Sequence, residues 1–188
     1  MHGWISFLKN LEKLLIDQCN CLRSIVPSKV SFSSLIELNI SECNGLLSLF
    51  TPSTSRTLHQ LKNMSVKDCE SLEEIVSKET EESSEVVEEE IIVFPKLKTL
   101  SLCSLPNLGS FYNGNIALKF PLSDKFSLID CQKMESFCAG ALSVNRWTEV
   151  EFEEDKDPVL LEVDLNFAVR KAFEGMSTVF VCTFMLRD

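Results

Sequence analysis

Five segments of the chain repeat one spacing of apolar residues. In the second segment the offsets are 3, 3, 2, 3, 3 and 3, and the residues are Phe32, Leu35, Leu38, Ile40, Cys43, Leu46 and Leu49. The same spacing starts again at Leu8, Leu58, Phe94 and Phe120. Self-similarity of this kind indicates a repeat architecture, in which each unit buries its apolar side against the next unit.

The offset of 2 in the middle of the template predicts a strand, because alternate side chains of a strand point to the same face. The offsets of 3 on either side predict turns and short helical or 3₁₀ stretches. The pattern L-x-x-L-x-L-x-x-C-x-x-L is that of a leucine-rich repeat. The predicted fold is therefore an α/β leucine-rich-repeat solenoid, with about five to six short parallel strands on a concave face, an irregular or short helical convex side and a C-terminal capping helix.

The repeat becomes less regular toward the C-terminal end. Ser123 replaces a leucine in the fifth copy, and its neighbour Leu122 is expected to fill the gap. A partial sixth copy keeps the opening offsets of 3, 3 and 2 and consists of Val144, Trp147, Val150 and Phe152. In this alignment Trp147 takes the template position that Ser123 holds.

The predicted leucine-rich-repeat domain covers residues 1–176, with five repeats and a partial sixth. An acidic stretch at 79–90 holds the extra residues of the longest step between repeats, and such a charged stretch is expected to leave the solenoid as a loop. It is interpreted as a solvated loop or as a docking segment for a basic partner. An amphipathic closing helix is predicted at 164–176 with Asp164 as its N-cap, and the tail at 177–188 has no assigned role.

Charge and composition exclude several classes of function. The chain has 18 Lys and Arg against 28 Asp and Glu, a net charge of −10, which argues against a nucleic-acid clamp. No apolar run approaches the roughly 18 residues that a membrane span requires, and Met1-His2-Gly3-Trp4 does not resemble the start of a secretory signal. We therefore expect a cytoplasmic protein whose eight cysteines are reduced.

Nothing in the sequence predicts catalysis. The two histidines, His2 and His59, lie 57 residues apart, no nucleophile or phosphate-binding motif is present, and the carboxylates fall on predicted loops and outward positions. We expect neither an enzyme nor a cofactor, and no binding of ADP or ATP. A zinc or redox site on the stacked cysteines is the weaker interpretation, because no C-x-x-C pair accompanies them.

Binding is the better interpretation, because the outward positions of the strands have no part in the core. The candidate protein-binding positions on the concave face are Lys13, Asp17, Glu37, Asn39, Glu42, Asn63, Lys67, Asp68, Thr99, Ser101, Lys125 and Asp130. Mixed polar side chains on neighbouring strands favour a protein partner over a small molecule. An ordinary solvated strand surface is the alternative, and the sequence does not separate the two.

Phrases such as LIELNISECNGL and LKNMSVKDCESLEEIV, and the run FPKLKTLSL, resemble the C-terminal repeats of plant disease-resistance proteins of the coiled-coil, nucleotide-binding, leucine-rich-repeat class. The resemblance covers roughly residues 5–176. It implies a module that senses a pathogen effector, or a host protein altered by one, and that also contacts the receptor's own nucleotide-binding domain. The chain has no phosphate-binding loop, so the resemblance implies a recognition module rather than a complete switch.

Two alternatives stay open. One is a leucine-rich-repeat substrate adaptor or scaffold of the kind that serves ubiquitin ligases. Those adaptors usually carry an F-box before the repeats and Ile-Thr after the cysteine, whereas Cys43 is followed by Asn44-Gly45-Leu46. The other is an inactive, truncated receptor product.

Overall fold

The computed structural model describes residues 10–25, 30–78, 91–154, 156–161 and 164–174. Its strands, in chain order, are β1 (Lys13–Asp17), β2 (Glu37–Ser41), β3 (Ser48–Phe50), β4 (Asn63–Lys67), β5 (Glu74–Val76), β6 (Ile91–Val93), β7 (Thr99–Cys103), β8 (Ser110–Tyr112), β9 (Ala117–Phe120), β10 (Lys125–Ile129), β11 (Leu142–Val144), β12 (Glu149–Glu151) and β13 (Val159–Leu160). Its helices are α1 (Pro52–Ser55) and α2 (Leu165–Glu174).

One sheet of seven strands, here called the main sheet, contains the strand of every repeat. Its order is β1-β2-β4-β7-β10-β12-β13. The first six strands are parallel and pair in register, so that Leu38 lies opposite Leu14 on one side and Met64 on the other. Only β13 runs antiparallel to its neighbour. The leucine-rich-repeat solenoid predicted from the spacing is confirmed.

Side chains alternate between the two faces of the main sheet. In β7, Leu100 and Leu102 are buried in the core, whereas Thr99 is exposed and Ser101 is half-buried. Each coil repeats this alternation because the offset of 2 puts its two apolar residues on one face. We call the opposite face, which carries the outward residues, the outer face.

The return side of the solenoid contains more strands than the offsets of 3 suggest. Two parallel sheets of three strands each, β3-β5-β8 and β6-β9-β11, pair coil to coil. Within the described ranges the return side has one short helix, α1, which Thr51 caps by accepting a hydrogen bond from the Thr54 N–H (3.3 Å). The short return strands form because the coils stack, since a strand of three residues gains its hydrogen bonds only from the coils on either side of it.

Five phenylalanines form the centre of the core between the fourth and fifth repeats. Phe120 lies 5.0 Å from Phe94, 5.5 Å from Phe126 and 5.7 Å from both Phe111 and Phe137, measured between ring centroids. All five side chains are fully buried. The pairs are stacked or edge-on, the two arrangements that aromatic quadrupoles favour.

Ser123 is accommodated by a hydrogen bond and not by its apolar neighbour. Its hydroxyl is fully buried and lies 2.7 Å from the hydroxyl of Thr148, which is also buried. The expectation that Leu122 fills the gap is wrong, since that side chain is 51% exposed.

The alignment of Trp147 with Ser123 is also wrong. Lys125 pairs with Glu149, yet Ser123 bonds Thr148, so the turn before β12 is one residue shorter than the turn before β10. Thr148 therefore occupies the buried position. Trp147 moves into the turn, where it is 61% exposed.

The C-terminal helix α2 packs on the last coils. Asp164 accepts a hydrogen bond from the Phe167 N–H (3.1 Å) and thereby caps the helix as predicted. Leu165 and Val169 are buried in the core, and Phe173 contacts Phe152 edge-on at 5.8 Å. The predicted acidic loop at 79–90, the last two residues of the predicted helix 164–176 and the tail at 177–188 lie outside the described residues.

Candidate functional site

Strand pairing arranges the outward residues of the main sheet in rows across the coils. The first row consists of Lys13, Glu37, Asn63, Thr99 and Lys125. The middle row consists of Leu15, Asn39, Ser65, Ser101 and Ser127. The third row consists of Asp17, Ser41, Lys67, Cys103 and Ile129. Nine of the twelve candidate residues lie in these rows, and Glu42, Asp68 and Asp130 directly follow them.

At each end of the outer face, a lysine forms an ion pair with a glutamate on the neighbouring strand. The Lys13 ammonium lies 2.8 Å from a carboxylate oxygen of Glu37, and Lys125 lies 2.8 Å from Glu151. The hydrogen bond from Lys13, followed by one from Asn39, lowers the pKa of Glu37. The bond from Lys125 likewise lowers the pKa of Glu151. These carboxylates stay ionised near neutral pH, so they are acceptors for a partner and not proton donors.

Short side chains occupy the middle of the outer face. Ser65 and Ser101 lie opposite each other on β4 and β7, and both are half-buried. In the first row, next to these serines, the Thr99 hydroxyl donates a hydrogen bond to the Asn63 side-chain oxygen (2.7 Å). In the third row, Lys67 is exposed, and its ammonium lies 3.9 Å from a carboxylate oxygen of Asp68. The middle of the sheet is therefore low in relief and rich in hydrogen-bonding groups.

The backbone takes a left-handed turn directly after each of five main strands. The residues are Gln18 (φ 54°), Glu42 (51°), Asp68 (54°), Ser104 (52°) and Asp130 (52°). Such a conformation costs energy for any residue other than glycine, and Asn and Asp tolerate it best. The spacing of apolar residues did not predict this turn. The signal was present, because the residue before the template cysteine is polar in every repeat.

Carboxylates cluster where these turns stack. We call Asp17, Glu42, Asp68, Glu70 and Asp130 the acidic edge. An open groove of about 630 Å³ runs beside it, and its lining is Asn20, Glu42, Asn44, Asp68, Glu70, Ser104, Pro106, Asp130 and Gln132. This lining is almost wholly polar, unlike the mostly apolar pockets that bind small molecules.

Asparagines one position after the cysteines join neighbouring coils along this groove. The Asn44 N–H donates to the Asn20 side-chain oxygen (3.0 Å), and the Glu70 N–H donates to that of Asn44 (3.1 Å). The Asn107 amide continues the series by donating to the Glu70 carbonyl (2.7 Å). The spacing of apolar residues did not predict these contacts, although Asn follows the cysteine in the first two repeats.

The template cysteines satisfy backbone carbonyls from inside the coils. The Cys43 thiol lies 3.2 Å from the Ser41 carbonyl, Cys69 lies 3.3 Å from that of Lys67, and Cys131 lies 3.4 Å from that of Leu102. Burial raises the pKa of Cys69 to about 11 and that of Cys131 to about 12. These thiols are protonated near neutral pH and are poor nucleophiles. No group of three metal-binding side chains occurs among the residues that the structure describes.

Alkaline pH is expected to destabilise the fold through Cys131. Its thiol titrates near 9.0 when unperturbed and near 12 in the fold, so above pH 9 the unfolded state binds fewer protons than the folded state. The stabilisation is present below pH 9 and is lost as the pH rises toward 12, with a slope of up to about 1.4 kcal/mol per pH unit. Urea unfolding at several pH values measures it. Cys131→Ser is the control, and an equal pH dependence in both proteins would contradict the assignment.

A family model described as plant disease resistance protein RPS2-like, leucine-rich repeats, matches residues 26–140. The chain belongs to this leucine-rich-repeat family of plant disease-resistance proteins. It is also 32% identical over 170 residues to a probable disease resistance protein of Arabidopsis thaliana. That alignment covers 77% of this chain but only 22% of the relative, and no solved structure matches.

The family match spans the part of the plant disease-resistance repeat region that carries most of the candidate site. Residues 26–140 include β2, β4, β7 and β10 with their outward rows, together with most of the acidic edge. The matched description concerns the repeats, and such repeats typically serve as interaction modules. Within the described part of the chain, no helix is both long and apolar enough to cross a membrane.

Proposed function

We propose that this plant disease-resistance repeat region recognises a protein, either a pathogen effector or a host protein altered by one, through the outer face and the acidic edge. The observation that carries the proposal is the register of the main sheet. It assembles the candidate residues of five strands on one surface that has no part in the core. A surface of this breadth suits another protein better than a compact small molecule.

Electrostatics favour a protein with basic groups over a nucleic acid. Glu42, Asp68 and Asp130 line one open groove, and the chain carries a net charge of −10. The phosphate backbone of DNA or RNA would be repelled by this groove, whereas Lys or Arg side chains of a protein would be attracted to it. The low middle of the sheet leaves space for a projecting loop of that partner.

Recognition without catalysis is part of the same proposal. The Glu37 and Glu151 carboxylates have lowered pKa values because they accept hydrogen bonds from lysines. They are therefore ionised near neutral pH and have no proton to donate as general acids. We propose the cytoplasm as the compartment, since free thiols on neighbouring coils, such as Cys43 and Cys69, are typical of a reducing environment. If a nucleotide-binding domain is present in the whole protein, it is a second proposed partner.

The test is a binding screen of the chain against secreted effectors of plant pathogens and their host targets. Each positive is measured again with Ser101→Arg, which places a long side chain in the middle of the outer face. The matched control is Ser143→Arg, because Ser143 is exposed on β11 of the return side. We expect at least one partner whose affinity falls about tenfold or more with Ser101→Arg but not with Ser143→Arg.

Two results would count against the proposal. One is a set of partners that bind the wild type and both variants equally. The other is loss of binding with Ser143→Arg but not with Ser101→Arg, at unchanged thermal midpoints, which would locate the binding surface on the return side. Circular dichroism of each variant separates these results from unfolding.

A further inference from the structure

The turns that precede the main strands differ in charge from the acidic edge. They carry four exposed cations, Lys62, Lys96, Lys98 and Arg146, against two exposed carboxylates, Glu12 and Asp124. Backbone hydrogen bonds hold the turns in register, since the Lys98 N–H donates to the Lys62 carbonyl (2.8 Å) and the Asp124 N–H donates to that of Lys98 (2.8 Å). We define the turn surface as Lys62, Lys96, Lys98, Leu122, Arg146 and Trp147.

Two large apolar side chains are exposed among these cations. Leu122 and Trp147 lie in successive turns, those before β10 and β12. The Arg146 guanidinium lies 4.7 Å from the centroid of the Trp147 ring, within cation–π distance. Trp and Arg, together with Tyr, are enriched at the energetic centres of protein interfaces.

The turn that carries Trp147 is held firmly by its neighbours. The Trp147 N–H donates to the Asn145 side chain (3.3 Å), and the amide of Asn145 donates to the Ser123 carbonyl (3.1 Å). The buried hydroxyls of Ser123 and Thr148 join the two turns directly. The backbone of such a turn loses little further conformational entropy when a partner covers it.

Three of the four cations of the turn surface have no acidic partner within the described part of the chain. Among the described residues, no carboxylate lies within ion-pair distance of Lys62 or Arg146, and Lys96 donates only to the neutral Gln60 (2.6 Å). Lys98 is the exception, at 3.6 Å from Asp124. The chain as a whole has ten more acidic than basic residues, so the excess of cations on these turns is a local property of this surface.

We infer that the turn surface is a second protein-binding site, for an acidic segment with an apolar anchor. The anchor covers Trp147 and Leu122, and the carboxylates of the segment pair with Arg146 and the lysines. The site lies at the amino-terminal ends of the main strands, whereas the acidic edge lies at their carboxyl-terminal ends. Opposite charges at the two ends allow the chain to bind two partners at once.

An anionic membrane is the other occupant with matching chemistry, and the surroundings disfavour it. A planar bilayer that reached Trp147 would also approach the exposed carboxylates of Asp124 and Glu149, residues that are joined by a hydrogen bond from the Glu149 N–H to the Asp124 carbonyl (2.8 Å). A narrow peptide segment avoids them. Negative surface potential repels such carboxylates over about a Debye length, roughly 8 Å at physiological salt.

The experiment selects ligands from a random-peptide phage library on the wild-type chain and measures the selected peptides by fluorescence anisotropy. The variants are Trp147→Ala and Arg146→Ala. The matched controls are Phe167→Ala and Lys171→Ala, because Phe167 is an exposed aromatic residue with a lysine 5.8 Å from its ring, on α2. Vesicles containing phosphatidylserine are the membrane probe.

We expect peptides with several Asp or Glu residues and one large apolar residue, whose affinity falls about tenfold or more with Trp147→Ala and with Arg146→Ala. The two control variants should bind them unchanged, and so should Ser101→Arg, which separates this site from the outer face. Selected peptides without acidic residues, peptides indifferent to Trp147→Ala, or vesicle binding that Trp147→Ala abolishes would each overturn the inference.

Discussion

Replacement of Phe120 by alanine is expected to lower the free energy of unfolding by about 3–5 kcal/mol. The side chain is fully buried and contacts four other phenylalanines at centroid distances between 5.0 and 5.7 Å. The variant loses the burial of a whole ring, leaves a cavity that its neighbours cannot close, and removes four aromatic pairs. Since domains are stable by about 5–15 kcal/mol, the loss should bring the fold close to unfolding.

Urea or thermal unfolding measures this effect, and Phe167→Ala is the control. Phe167 lies on α2 and is 50% exposed, so its removal should change the free energy of unfolding by no more than about 0.5 kcal/mol. Similar costs for the two variants would show that the aromatic cluster is not the centre of the core. A double variant with Phe94→Ala should be less costly than the sum, because the two rings stack on each other.

Truncation of adjacent residues in one strand is expected to lower the free energy of unfolding by very different amounts. Leu100→Ala should lower the free energy of unfolding by about 2–5 kcal/mol, because Leu100 is in the core. Thr99→Ala should cost no more than about 0.5 kcal/mol, because Thr99 faces outward and is exposed. Leu38→Ala and Glu37→Ala form the same comparison on β2.

The two pairs test the register of the main sheet. Chemical denaturation of all four variants gives the costs, and equal losses within a pair would contradict the assignment of faces. The variants at the two outward positions have a second use. If the outer face binds a protein, Thr99→Ala and Glu37→Ala should weaken that binding while the thermal midpoint stays unchanged.

The main sheet was predictable because each of its strands is encoded within one repeat. Leu38 and Ile40, or Leu100 and Leu102, are two residues apart, and this spacing alone puts both side chains on one face. Five copies of the same spacing make a chance match improbable and also set the register between strands. The positions of the candidate residues on the outer face follow from the same spacing, whereas their role in binding is a proposal.

The return strands and the turn before β12 were not predictable in this way. The short strand at Ser48–Phe50 pairs with Glu74–Val76, which is 26 residues further along the chain. No local pattern separates such a strand from a turn. The turn before β12 is one residue shorter than the turn before β10, and the spacing of apolar residues does not show where the residue is missing. The buried position before β12 could therefore have been assigned to Trp147 or to Thr148.

The sequence by itself determined the solenoid, the face of each main strand and the identity of the family's repeats, because these depend on local spacing that recurs in every coil. Tertiary structure alone decided which polar residues meet. Glu42, Asp68 and Asp130 come together only because left-handed turns stack in register, and the buried hydroxyls of Ser123 and Thr148 meet only because two turns of neighbouring coils pack together. Contacts between coils depend on residues about 24 to 36 positions apart, and their geometry exists only after the coils have packed.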